Sequence, residues 1–181
     1  MIDEEELVAA ARRGDRSAFA TLYERHFPSV YRYAYFQTPT AADAEDASAD
    51  AFLRAIEHVD RFHGGAAQFG GWLFRITRNV IIDRARRTRP AVALDEATDA
   101  AIPDGAGEVV QRVALRAALA TLKEEQRSAV VLRFVVGLSS REAGAVLGKS
   151  EGAVEQLQRR GLAALAKVLG SAEPRSHPPR P

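Results

Sequence analysis

GLSSREAGAVLGKSEGAVEQLQRRGLAAL, residues 137–165, holds the densest set of helix start and stop signals in the chain. Gly137 closes an apolar run containing Val130, Val131, Leu132 and Phe134. Ser139 and Glu142 have capping-box spacing, in which the hydroxyl takes an otherwise orphaned helical N–H and the carboxylate returns to the serine N–H. A short helix then ends at Leu147, Gly148 and Lys149 form a tight turn, and Ser150 caps a second helix from Glu151. Short helix, glycine-bearing turn and second helix make helix-turn-helix spacing. On the second helix Val154, Leu157, Gly161 and Leu165 fall inward. Glu151, Gly152, Glu155, Gln156 and Arg159 fall outward, with Ser150 and Arg160 flanking them, where a recognition helix meets base edges.

Upstream, residues 72–88 predict a helix with Trp72, Leu73, Ile76 and Val80 on one face and Arg75, Arg78, Asn79 and Arg86 on another. Residues 61–71, RFHGGAAQFGG, hold four glycines and read as a loop before it. Asp3 with Glu6 and Thr40 with Asp43 have capping-box spacing, and Asp15 can cap the helix between them. These signals predict helices from about Glu4 to Arg13, from Asp15 onward with Pro28 placed to kink it, and from Thr40 with Phe52, Ile56 and Val59 at core spacing. Clean apolar–polar alternation is sparse, so the fold class is all-α.

Charge divides the chain further. Residues 75–89 carry six arginines against Asp83 alone, and residues 90–108 carry five acids and no base. A basic block beside an acidic one suits nucleic-acid contact followed by a segment with another task. The prolines and glycines of residues 90–107 predict a flexible acidic linker. The organisation is therefore two small helical domains, residues 1–89 and 108–169, joined by the linker 90–107 and followed by a proline-rich, disordered tail, 170–181.

The chain has 181 residues, 46% of them apolar, and no cysteine, which excludes disulfides, thiolate metal sites and a cysteine nucleophile. The start, MIDEEEL, lacks signal-peptide layout, and no apolar run is long enough to span a membrane, so a cytoplasmic location without membrane insertion is expected. His58 and His63 have no carboxylate constellation around them, and no phosphate loop or nucleophile–base pair is present. Neither a cofactor, nor a metal, nor an enzymatic activity is expected.

Residues 71–87, GWLFRITRNVIIDRARR, closely resemble the promoter-melting helix of extracytoplasmic-function (ECF, group IV) sigma factors of the sigma-70 family, and residues 122–165 resemble their C-terminal domain. The resemblance implies that the acidic helix, through Asp43, Glu45, Asp46 and Asp50, docks on the clamp helices of the largest subunit of core RNA polymerase. It implies that Arg61, Phe62, His63, Gln68, Trp72, Arg75, Arg78, Asn79 and Arg86 meet the minus-ten element and a flipped-out base. Ser150, Glu151, Gly152, Glu155, Gln156, Arg159 and Arg160 would meet the minus-thirty-five element. The polymerase flap, promoter DNA and an anti-sigma factor are the other partners it implies. The chain departs from the family where Ala49 replaces a frequent glutamine, Lys123 a frequent proline, and Glu155 and Leu157 frequent bases. A conventional helix-turn-helix regulator is the alternative; it would not need the basic helix 72–87.

Overall fold

The computed structural model describes residues 3–87 and 106–170. The first helix, α1 (Glu4–Arg12), carries three glutamates in its first turn, which suit the positive end of the helix dipole. The expected Asp3 cap is not made: Asp3 stands at the N-cap position without a side-chain bond. Glu4 and Glu5 reach elsewhere in the fold instead. Asp15 caps α2 (Arg16–Gln37), accepting from Ser17 N–H at 2.9 Å and Ala18 N–H at 3.1 Å, and α2 runs unbroken through Pro28. Thr40 caps α3 (Ala41–His58) by accepting from Asp43 N–H at 3.0 Å. Of the three positions at core spacing, Phe52 on α3 and Val59, just past its end, are buried and Ile56 is exposed, so the buried face is narrower than its spacing suggests.

A 3-10 turn (Val59–Arg61) leads to α4 (Ala66–Arg87). This corrects the expected loop: residues 66–71 are helical despite Gly70 and Gly71. Two caps explain it. Glu5 of α1 accepts from Ala66 N–H at 2.8 Å, and Gln68 accepts from Gly65 N–H at 3.0 Å. Phe69, fully buried against Phe62 and Trp72, then fixes the first turn in the core. Burying one such phenylalanine contributes roughly 1.5–3 kcal/mol, more than the roughly 0.5–1 kcal/mol a helical glycine loses relative to alanine.

The second domain comprises α5 (Ala106–Ala120), α6 (Glu124–Val130), α7 (Ser140–Leu147) and α8 (Glu151–Gly170), with a π-helical stretch, Val131–Val136, continuing α6. Helix α5 begins two residues before the expected boundary, and α8 takes in Gly170, the first residue of the expected tail; residues 90–105 and 171–181 lie outside the described residues. The Ser139–Glu142 capping box is complete, with Glu142 N–H on the serine hydroxyl and Ser139 N–H on the carboxylate at 2.7 Å. Val154, Gly161 and Leu165 of α8 are buried and Leu157 partly so. Among the described residues no helix is long and apolar enough to cross a membrane.

The two domains pack together, α2 against α5 and the π-helical stretch, α4 against α7. Arg116 of α5 lies 4.2 Å from the Tyr35 ring centroid and donates to Thr38 O at 2.9 Å. Ser128 donates to Gln37 Oε1 at 3.3 Å. Burial pushes the Tyr33 phenol up to about 12, while Ser128, Arg78 and Arg127 pull it back. Burial also holds Arg127 below the usual arginine range, Glu124 and Tyr33 opposing. Gln37 Nε2, Arg78 Nε and Arg127 Nε are buried there without hydrogen-bond partners. Such a group costs about 1–3 kcal/mol. Buried apolar side chains of both domains form one cluster across the seam, to which few polar contacts are added and which several orphaned groups penalise.

Candidate nucleic-acid and polymerase interfaces

A cavity of about 430 Å³ opens where α4 begins. Gln68, Trp72 and Arg75 line it, over a floor that includes Phe62 and Gly70, and His26 of α2 completes the wall. Phe62 and Trp72 lie 5.0 Å apart by ring centroids. An aromatic wall beside a guanidinium offers a stacking surface and a phosphate or base-edge donor together. The cavity's far side belongs to the second domain: Leu138, Glu142 and Ala145.

The residues expected to meet the minus-ten element do not all converge there. Phe62, Gln68, Trp72 and Arg75 do; Arg61, His63 and Asn79 are exposed but do not line the cavity. Arg78 departs from the expected stripe. Its guanidinium turns into the domain seam, 3.7 Å from Glu124, and with the exposed Arg86 it lines a second hollow of about 300 Å³ beside Tyr33 and Arg127. Its register on α4 suits the stripe, but a carboxylate from α6 supplies the nearer opposite charge.

On α3 the four acids differ in what they do. Asp43 is bound to the Thr40 hydroxyl at 2.7 Å. Asp50 and Asp46 accept from the two ends of the Arg84 guanidinium at 2.6 and 2.7 Å. Glu45 stands exposed. Beside them Leu53, 61% exposed, and Ile56 form an apolar surface, although the core spacing of Ile56 points it inward and no sequence signal marks Leu53. The outward face of α8 is open: Glu151, Gly152, Glu155, Gln156, Arg159 and Arg160 are all exposed, while Ser150 Oγ accepts from Ala153 N–H at 3.3 Å.

Residues 22–90 match the family model for sigma-70 region 2, and residues 112–165 that for sigma-70 region 4. The chain belongs to the sigma-70 family. Within that family it is similar to the ECF RNA polymerase sigma factor BldN of Streptomyces coelicolor, 37% identical over 91% of this chain and 65% of that protein. It is 38% identical to the ECF sigma factor SigM of Mycobacterium tuberculosis, over 91% of this chain and 84% of that one. The chain thus spans about two thirds of the first relative's length. The solved structure of CnrH in complex with the cytosolic domain of CnrY superposes with a TM-score of 0.74 at 30% identity, covering 94% of this chain and 99% of that one. The region 2 match takes in the first-domain side of the cavity, the acidic helix and the basic helix; the region 4 match takes in the helix-turn-helix.

Proposed function

We propose that the chain is an ECF-type alternative sigma factor that binds core RNA polymerase and directs promoter-specific initiation in the bacterial cytoplasm, as an initiation factor and not an enzyme. The observation that carries this is the coexistence in one chain of an aromatic and basic cavity at the start of α4 and an unobstructed outward face on α8. A duplex step costs a few kcal/mol to open, and a base held in a cavity offsets it. In this reading Phe62, Gln68, Trp72 and Arg75 hold an unpaired minus-ten base, and Arg61, His63, Asn79 and Arg86 meet the strand beside it. Ser150, Glu151, Gly152, Glu155, Gln156, Arg159 and Arg160 meet the minus-thirty-five element. The surface of Asp43, Glu45, Asp46 and Asp50, with Leu53 and Ile56, docks on the clamp helices of the largest subunit. The second domain engages the flap, and an anti-sigma factor restrains the free chain. The two domains part for this, because α7 closes one side of the cavity. The conventional-regulator reading leaves the region 2 match without a task.

Run-off transcription with core polymerase tests the proposal. The full chain should confer initiation on a defined promoter set, and Gln156→Ala should change the ranking among upstream-element variants by ~1–3 kcal/mol at one base pair. Arg159→Ala should weaken all variants alike and flatten the salt dependence if it meets phosphate. No promoter-dependent transcript with core polymerase would remove the sigma-factor reading.

A further inference from the structure

We infer that His26 reads the captured base through its Nδ1 atom, and that Glu4 positions the ring to do so. This rests on the base-capture reading above and adds the chemical class of base that the cavity takes. His26 belongs to α2, far along the chain from the residues that otherwise line the first-domain side of the cavity, and nothing in its sequence surroundings marks it. Two contacts orient its ring, and a glycine lies beside the edge they leave. Nε2 lies 3.0 Å from Glu4 Oε1. The ring meets Phe69 edge-on, with centroids 5.3 Å apart and planes at 64°. Its Cε1–Nδ1 edge faces Gly70, where an added Cβ would lie 3.7 Å from Cε1 and 3.9 Å from Nδ1.

A carboxylate accepts and cannot donate, so the nitrogen facing Glu4 carries a proton, and the tautomer this selects presents Nδ1 as an acceptor. The other polar side chains from the first domain that line the cavity offer donors. Gln68 has its carbonyl committed to Gly65 N–H, leaving its amide hydrogens, and the Arg75 guanidinium only donates. Glu142 comes from α7 and leaves with it. One acceptor flanked by donors fits an exocyclic amine next to an unprotonated ring nitrogen, which is the Watson–Crick edge of adenine or cytosine. Gly70 keeps the acceptor uncovered, because any side chain there would lie against the ring edge.

The test uses the full chain assembled with core polymerase on bubble promoters. Each unpaired position of the non-template strand is varied through adenine, cytosine, hypoxanthine and uracil, the last two replacing the amine with a carbonyl. The wild type should prefer the amino base at one position by about tenfold, within the range of a base-edge contact. His26→Gln keeps a group for Glu4 and loses the one at Nδ1, so the preference should collapse with core affinity unchanged. His26→Asn keeps a group near Nδ1 and loses the Glu4 contact, so it should retain most of the preference. Gly70→Ala puts a methyl in ordinary contact with the ring edge at a helical position, so it should lower the preference while thermal stability is kept or raised. Wild-type preference in both His26→Gln and Gly70→Ala overturns the role of His26 and leaves base capture standing. A wild-type holoenzyme indifferent to every base at every unpaired position overturns both.

Discussion

Arg84 holds two of the four acids on α3, and this decides which substitution can probe docking cleanly. Burial lowers the affinity of its guanidinium for its proton, but the hydrogen bonds and charges of Asp50 and Asp46 together outweigh it and keep the group above the usual arginine range. Reversing Asp46 or Asp50 to Lys would place a second cation against it, so any loss of polymerase binding would mix docking with a rearranged α3–α4 contact. Glu45 carries no such obligation, and Leu53, two turns further along α3, exposes an apolar side chain. The combined variant Glu45→Lys, Leu53→Ser should weaken core-polymerase affinity by about 1–2 kcal/mol, roughly five- to thirtyfold in Kd. Its unfolding midpoint should stay at the wild-type value, since exposed substitutions move stability by about 0.5 kcal/mol or less. Fluorescence titration against core polymerase, paired with chemical denaturation, checks both halves, and unchanged affinity would take the docking surface off α3.

The helix-turn-helix stands on two local devices. The capping box starts α7, and Gly144 lets α7 meet the turn before α8: a Cβ there would lie 2.6 Å from Lys149 O. That close approach is to backbone, which cannot swing aside. Gly144→Ala should therefore destabilise the second domain by about 1–3 kcal/mol despite alanine's better helix propensity. The Ser139 hydrogen bonds hold the Glu142 carboxyl below its ordinary value of 4.5. A depressed folded value means that this contribution is present above the ordinary glutamate value and is lost as pH falls through the lower folded one. Acid titration of minus-thirty-five DNA binding, followed by circular dichroism, should show the wild type losing α7 order on that limb, and Ser139→Ala losing it earlier. A Gly144→Ala variant as stable as wild type would mean that α7 and the turn are less closely apposed than 2.6 Å implies.

Across the apolar seam that joins the two domains, Arg116 is the side chain with the most polar contacts to the first domain among the described residues. Arg116 contributes both a charge-assisted hydrogen bond to Thr38 O and a cation–π contact with Tyr35, together about 2–4 kcal/mol. Against it stand the unpartnered amide and guanidinium nitrogens of Gln37, Arg78 and Arg127, which regain water when the seam opens. Arg116→Ala should shift the free chain toward the parted state. Its radius of gyration in small-angle scattering should rise, and its cavity should take up single-stranded minus-ten oligonucleotide at lower concentration than wild type. Both domains should keep their helicity. An unchanged radius together with unchanged oligonucleotide affinity would show that other contacts hold the seam.

Residues 137–165 state their structure almost completely, because a capping box, a left-handed glycine and a 3.6-residue apolar repeat act within a turn or two of chain. The same locality made Asp15, Thr40 and the outward face of α8 readable, and it made the basic helix readable as far back as Trp72. The first turns of α4 were not readable. Local signals there, Gly64, Gly65, Gly70 and Gly71, favour a loop, and the cap that overrides them comes from Glu5, 61 residues earlier. Arg78 looked like one of a stripe until Glu124 came within 3.7 Å, and His26 looked inert until α1 and α4 closed around it. Ile56 has core spacing, but the described elements leave it 41% exposed. The sequence by itself determined which segments are helices, the first turns of α4 excepted, and which faces carry charge, since those follow from interactions between residues a few positions apart. Only the tertiary structure decided which charges are spent inside the fold and which remain for a partner, because that depends on groups brought together from distant parts of the chain.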